Sequence, residues 1–136
     1  MAPSLIGTQQ WAPHPAAATQ NRAADAKGQY ESRANGTLSC CGGWQFLFVG
    51  VIPGHRYHVS WTAEWQDLAE PLDAMVGHVY WGEVDPDVYV PGQGSAMIWD
   101  YVCAEIQAGE ALFSADLTAP EGAEVITIRC TLRWTD

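Results

Sequence analysis

Aromatic residues are the most unusual component of this sequence, which contains seven tryptophans and five tyrosines in 136 residues. A sugar ring presents an apolar C–H face on which an aromatic ring can stack, while neighbouring polar groups hydrogen-bond its hydroxyls. Aromatic rings also fill protein cores, and we expect the core to contain the rings on the apolar sides of predicted strands, Trp44, Trp61 and Trp134. The candidate ligand-binding tryptophans are those at strand ends or beside loops: Trp65, Trp81 and Trp99.

A second set of candidate ligand-binding residues comes from three predicted strands, at residues 44–52, 74–81 and 125–134. Successive strands of a jelly roll tend to alternate between its two sheets, so these three strands could share one sheet. The outer face of that sheet would present amide, imidazole, phenol, hydroxyl and guanidinium groups: Gln45, His78, Tyr80, Thr127, Arg129 and Arg133. Such groups suit hydrogen bonding to sugar hydroxyls. An ordinary solvated sheet face is the alternative interpretation.

One acidic segment could hold a metal ion. Glu83, Asp85 and Asp87 occupy alternate positions in a long Gly- and Pro-containing stretch between residues 81 and 97. Oxygen ligands spaced in this way can bind Ca²⁺, although the spacing is not that of an EF-hand. A structural Ca²⁺ ion is therefore the cofactor that the sequence suggests, and a solvated acidic loop is the alternative.

The four cysteines, Cys40, Cys41, Cys103 and Cys130, do not follow a zinc-binding pattern, because two are adjacent and no histidine follows at a ligand-like interval. Two interpretations stay open: buried small apolar side chains, or one or two disulfides formed in an oxidising compartment. Cys130 fits the first interpretation, since it lies on the apolar side of an alternating strand.

The motifs of common hydrolases are absent from the sequence, which contains neither G-x-S-x-G nor HExxH. Glycosidases need two paired carboxyl groups, and the in-strand acids near tryptophans, Glu64 and Asp100, have no evident partner. We therefore expect a non-catalytic protein.

Charge and hydropathy exclude two classes of partner. Sixteen acidic and six basic residues give a net charge of −10, and Lys27 is the single lysine. Binding to nucleic acid or to anionic membranes needs clustered basic residues, which this chain does not supply. No apolar run approaches the ~20 residues of a membrane-spanning helix. The first four residues also lack the basic start and apolar middle of a signal peptide.

The fold class follows from the alternation of apolar and polar residues. Short alternating segments separated by turn residues predict strands at 44–52, 56–65, 74–81, 97–104, 111–118 and 125–134. Residues 1–36 are mostly irregular, with short strands expected at 4–11 and 28–32, and residues 64–75 read as a loop. The sequence predicts one all-β domain over residues 1–136, a two-sheet antiparallel β-sandwich of the jelly-roll type.

The order of these motifs resembles galactose-binding-like carbohydrate-binding modules. Gly43-Trp44-Gln45 is followed by Val51-Ile52-Pro53-Gly54 and by Tyr57-His58-Val59-Ser60-Trp61, which is similar to a "PG..Y..S.W" step between two sheets. Thr118-Ala119-Pro120-Glu121-Gly122-Ala123 resembles the family's turn before its penultimate strand. The resemblance covers most of residues 43–134. Such modules usually end in a further aromatic-rich strand, which either lies outside this chain or is replaced by the N-terminal segment.

The resemblance implies a non-catalytic carbohydrate-binding module, an extracellular accessory to a polysaccharide-degrading enzyme, whose partner is an oligosaccharide or a polysaccharide. Modules of this kind often carry a structural calcium ion and belong to larger multidomain proteins. A structural or protein-interaction β-sandwich, such as a capsid, adhesion or assembly subunit, is the alternative function.

Overall fold

The computed structural model describes residues 2–13, 15–26, 28–82 and 99–134, which form an almost entirely β structure. The helical part is limited to a 3-10 turn at Pro15–Ala17 and a single turn, α1, at Pro71–Ala74. The strands in chain order are β1 (Ser4–Trp11), β2 (Gln20–Arg22), β3 (Glu31–Arg33), β4 (Cys41–Val49), β5 (Arg56–Ala63), β6 (Met75–Trp81), β7 (Trp99–Val102), β8 (Ala104–Gln107), β9 (Glu110–Thr118) and β10 (Val125–Arg133). The all-β class predicted from the sequence is confirmed.

The strands form two main antiparallel sheets. The larger sheet has the order β1-β4-β10-β6-β7, the smaller has the order β5-β9-β8, and β2 and β3 pair separately. The chain crosses between the two main sheets after β4, β5, β7 and β9. The three strands expected to share one sheet, β4, β10 and β6, are neighbours in the larger one, and the two main sheets are consistent with the predicted β-sandwich.

Alternation along the strands places the core between the two sheets. In β10 the side chain of Ile126 is buried against the core, as are Val79 and Trp81 of β6. The smaller sheet contributes Phe113 of β9, whose ring stacks on Trp61 of β5 at a centroid distance of 5.0 Å and an interplanar angle of 7°. Burial of these apolar side chains is the main term that stabilises the two-sheet arrangement.

Close contact between the sheets requires a small residue at one point. A Cβ atom at Gly77 of β6 would lie 2.6 Å from Cζ2 of Trp61, so the indole packs directly on the backbone of the larger sheet. The glycine therefore provides the space that the Trp61 ring occupies.

The turn between β4 and β5 contains the Pro-Gly pair noted in the sequence. Gly54 has a φ of +83°, a conformation that glycine adopts without a steric penalty. Its N–H donates to the carbonyl of Ala119 at 2.8 Å, and the N–H of Ala119 donates to the carbonyl of His55 at 2.8 Å. The N–H of Ile52 donates to the Tyr57 hydroxyl at 2.8 Å. The first two bonds attach the turn to the segment after β9, and the third closes it on β5.

The strand expected at 4–11 is confirmed as β1, which pairs along its length with β4 and forms an edge of the larger sheet. The structure differs from expectation in the rest of the N-terminal segment, where β2 was not predicted, and at the C-terminal end of β10. Trp134, expected in the core, is 64% exposed. The reason is local: β10 ends at Arg133, and a φ of +55° at Trp134 interrupts the alternation that would have directed its ring inward.

All four cysteines are free thiols. Cys40 is fully buried, Cys41 and Cys130 are partly buried, and Cys103 is exposed. Burial raises the pKa of the Cys130 thiol to about 12, which keeps it protonated at neutral pH. The structure contains no disulfide among the four cysteines, and the interpretation as buried side chains holds for Cys40 but not for the exposed Cys103.

Within the described part of the chain, no helix has both the length and the apolar character needed to cross a membrane.

Candidate functional site

The outer face of the larger sheet gathers most of the polar and aromatic residues expected at a binding site. Strand register places Gln45 of β4 opposite Arg129 of β10, Arg129 opposite His78 of β6, and His78 opposite Tyr101 of β7. The four side chains thus form one row across the sheet, perpendicular to the strands. We call the surface built around this row the outer face; it also includes Trp11, Tyr80, Thr131 and Arg133.

Arg129 is the centre of the outer face. Its Nε donates to Oε1 of Gln45 at 2.8 Å, and its Nη1 donates to the Tyr80 hydroxyl at 2.9 Å. The guanidinium carbon lies 3.8 Å from the centroid of the Trp11 indole and 4.5 Å from that of the Tyr80 ring. Two aromatic rings therefore hold the cation through its faces, while two polar groups fix the orientation of its plane.

Burial changes the electrostatics of this cation. Arg129 is only 6% exposed, and desolvation lowers its pKa to about 10, so it remains charged at neutral pH. Burial also raises the pKa of the Tyr80 phenol, an effect that the nearby Arg129 charge opposes. Tyr80 is therefore an uncharged hydroxyl at neutral pH, able to accept from the guanidinium.

Aromatic rings continue across the sheet from Arg129. The His78 and Tyr80 rings stack with centroids 5.7 Å apart, and the His78 and Tyr101 rings lie 4.7 Å apart in a tilted arrangement. Tyr101 is 56% exposed, so much of its side chain lies at the surface of the sheet. The arrangement supplies flat apolar surfaces beside fixed hydrogen-bonding groups.

Arg133 extends the outer face toward the end of β10. Its Nε donates to the backbone carbonyl of Asp73 at 3.2 Å, and its guanidinium carbon lies 4.0 Å from the centroid of the Trp134 ring. A shallow pocket of about 370 Å³ opens beside these two residues and is also lined by the segment around α1. Glu70 and Asp73 belong to this pocket, so the outer face borders an acidic rim there.

His78 is uncharged in the folded protein. Desolvation by burial is the largest cause that lowers its pKa to about 4, and the positive charges of Arg129 and Arg133 act in the same direction. A neutral imidazole offers one donor and one acceptor nitrogen, so it can hydrogen-bond to an uncharged polar group such as a hydroxyl.

The lowered pKa of His78 predicts that its titration makes the free energy of unfolding depend on pH. An unfolded chain would bind a proton at His78 below a pH near 6.5, whereas the folded chain binds it only near pH 4, so acid favours unfolding across this window. Between pH 7 and pH 5 we expect the wild type to lose about 1 kcal/mol more stability than H78Q, a figure reduced because the ring is only half-buried. Urea unfolding of both proteins at the two pH values measures the difference; identical pH dependence would contradict the prediction.

Two of the three tryptophans predicted to bind ligand, Trp65 and Trp81, lie away from the outer face. Trp81 is 8% exposed and belongs to the core between the sheets, where its Nε1 donates to Oδ2 of Asp100 at 3.3 Å. Trp65 is partly buried and packs against the same core. Trp99 lies in β7 opposite Tyr80, and its side chain is outside the described part of the structure. The structure therefore does not bring Trp65 or Trp81 to the outer face.

The structure does bring together the predicted sheet residues Gln45, His78, Tyr80, Arg129 and Arg133. Thr127 shares their parity, but it is buried and its hydroxyl donates to the carbonyl of Gly82 at 2.7 Å.

Sequence reasoning missed three residues of the outer face, Trp11, Tyr101 and Thr131. The sequence predicts a short strand at 4–11 that contains Trp11, but not the strand with which it pairs. The alternation over Gly7, Gln9 and Trp11 is the signal that could have placed Trp11 on one face of a sheet. Tyr101 lay within a predicted strand, on the side opposite the buried Val102.

The residues proposed to bind calcium, Glu83, Asp85 and Asp87, lie outside the described residues. Across residues 2–13, 15–26, 28–82 and 99–134, no group of three or more His, Cys, Asp or Glu side chains is arranged to hold a metal ion. Comparison with protein families, with curated proteins and with solved structures finds no match to this chain.

Proposed function

We propose that this chain is a non-catalytic carbohydrate-binding domain and that the outer face of its larger sheet is the binding surface. The observation that carries the proposal is the Arg129 guanidinium held between the rings of Trp11 and Tyr80, with Gln45 fixing its plane. A sugar needs flat apolar surface and rigid hydrogen-bonding groups at once, and this arrangement supplies both.

Rigidity of the polar groups supports the proposal further. Gln45 is 2% exposed and Arg129 is 6% exposed, so their conformations are set by packing before any ligand arrives. Groups that are already ordered lose little conformational entropy on binding, which favours affinity for a flexible oligosaccharide. The exposed ring of Tyr101, at the other end of the row, is the surface on which a sugar would stack first.

Replacing Tyr101 tests the proposal with little risk to folding, because its side chain is largely exposed. In affinity electrophoresis through gels containing soluble polysaccharides, we expect the wild type to be retarded by at least one polysaccharide. Y101A should bind that polysaccharide about tenfold more weakly, since one stacked ring contributes on the order of 1 kcal/mol or more. Y101F, which keeps the ring, should retain most of the affinity.

The control for this experiment is I106A. Ile106 is also exposed, at 46%, but it lies on β8 of the smaller sheet, so its replacement should leave retardation unchanged. If no neutral or acidic polysaccharide retards the wild type, the proposal of carbohydrate binding is abandoned in favour of a structural or protein-interaction role.

A further inference from the structure

The outer face presents a line of donors along β10. Arg129, Thr131 and Arg133 are alternate residues of one strand, so their side chains project to the same side of the sheet. Arg129 lies opposite His78 in the middle of the sheet, and Arg133 lies at the end of the same strand. Two guanidinium groups with a hydroxyl between them form a strip suited to an anionic group.

The charge of Arg129 is not neutralised by the protein around it. Its contacts are with uncharged groups, the Gln45 amide, the Tyr80 hydroxyl and the Trp11 ring, and it forms no ion pair with an acidic side chain of the described residues. Its hydrogen bonds use Nε and Nη1, so Nη2 has no partner within that part of the chain. A cation that is 94% removed from solvent usually has an anionic partner, because desolvation of an unpaired charge is costly.

A second polar group on the same strip also lacks a partner. Thr131 is 6% exposed, and its Oγ1 is buried without a hydrogen bond to any of the described residues. Buried hydroxyl groups are nearly always hydrogen-bonded, so this atom and Nη2 of Arg129 both have unused capacity toward a ligand.

Charge is segregated over the molecule in a way that favours an anion here. The chain carries a net charge of −10, yet the strand residues that project onto the outer face include two arginines and no aspartate or glutamate. Asp100 of β7 has the opposite parity and accepts from Trp81 on the inner side. The strip therefore carries two positive charges on an otherwise acidic protein, which favours the binding of an anionic group there.

We infer that the sugar bound at this face carries a carboxylate, and that Arg129, Thr131 and Arg133 receive it. This inference rests on the proposed carbohydrate-binding function. A carboxylate matches the planar fork of a guanidinium, so that Nη2 of Arg129 donates to one oxygen while the Thr131 hydroxyl or Arg133 donates to the other. The rings of Trp11, Tyr80 and Tyr101 then contact the sugar ring itself.

The experiment compares uronic-acid polysaccharides with their methyl-esterified forms, because esterification removes the charge and leaves the sugar backbone unchanged. The probes are polygalacturonate, polyglucuronate and polymannuronate, each in both forms. We expect the wild type to bind at least one free acid about tenfold or more tightly than its ester. R129Q and R133Q should each reduce that ratio toward one, and R133Q, whose side chain is only partly buried, keeps the test valid if R129Q fails to fold.

The matched control is R56Q. Arg56 lies on β5 of the smaller sheet, is exposed and pairs with Asp116. R56Q therefore changes the net charge by as much as R129Q or R133Q does, but at a position away from the outer face. If R56Q reduces the acid-to-ester ratio as much as R133Q does, bulk charge explains the preference and the inference is overturned.

The two proposals fail in different ways. If the wild type binds free acid and ester equally, or binds only neutral polysaccharides, the carboxylate inference is overturned and carbohydrate binding stands. A preference for sulfated over carboxylated polysaccharides would also overturn it. If no polysaccharide is bound, carbohydrate binding itself is rejected.

Discussion

Replacement of Gly43 by alanine is expected to destabilise the fold by about 4 kcal/mol or more, enough to unfold a domain of ordinary stability. Gly43 lies in β4 where β1 and β10 flank it on both sides. A Cβ atom at this position would overlap the carbonyl oxygen of Cys130, which is backbone of the central strand and cannot move without breaking the ladder. The cost therefore combines steric overlap with the loss of strand hydrogen bonds.

A matched control is available in the same sheet. Gly7 of β1 has no atom within 4 Å of the position that a Cβ would occupy, and its backbone conformation suits any residue. G7A should change stability by no more than about 0.5 kcal/mol. Urea unfolding followed by tryptophan fluorescence measures both variants. Equal stability of G43A and G7A would show that β4 does not pass as closely to β10 as described.

Replacement of Phe113 by alanine is expected to cost about 3–5 kcal/mol. Phe113 is 3% exposed, stacks on Trp61 and belongs to the core shared by both sheets. Removal of the Phe113 ring leaves a cavity beside the Trp61 indole. Because that indole also packs on the backbone at Gly77, the surrounding side chains have little freedom to move into the cavity.

S114A serves as the control for this prediction, because Ser114 is the next residue of β9 and its side chain is exposed on the other side of the sheet. We expect S114A to keep wild-type stability in the same thermal or urea unfolding experiment. A loss below about 1 kcal/mol for F113A would indicate that the two sheets do not share one close-packed core.

Strands with regular alternation could be predicted from the sequence alone. The predicted strand at 125–134 corresponds to β10 at Val125–Arg133, and its inward and outward residues were assigned correctly up to Arg133. The alternation is reliable there because the strand is central and its two faces meet different surroundings. The alternation gave the wrong direction for Trp134. A positive φ at Trp134, just after the strand, reverses the direction of its side chain, and the pattern of apolar and polar residues does not indicate this change.

Assembly of the outer face could be predicted only in part. The pairing of β4, β10 and β6 follows from the order of strands, so Gln45, Arg129 and His78 were expected together. The position of Trp11 over Arg129 depends on the pairing of β1 with β4 across a long intervening segment, and the alternation in β1 predicts the strand but not its partner. Conversely, Trp81 looked exposed because it ends a strand, whereas its parity directs it into the core.

The junction at Cys103 has a consequence for the order in which the domain assembles. This single residue separates β7 of the larger sheet from β8 of the smaller one, and Ala108 and Gly109 then close the hairpin between β8 and β9. Residues 99–118 thus contribute to both sheets within a short stretch of chain, whose closure costs little entropy. Contacts of low sequence separation form early, so the β8–β9 hairpin is expected to form early and β7 then connects it to the larger sheet. Among the described strands, β1 is paired on one side only, at the edge of the larger sheet, so hydrogen exchange should show β1 opening more readily than β9, which lies between β5 and β8.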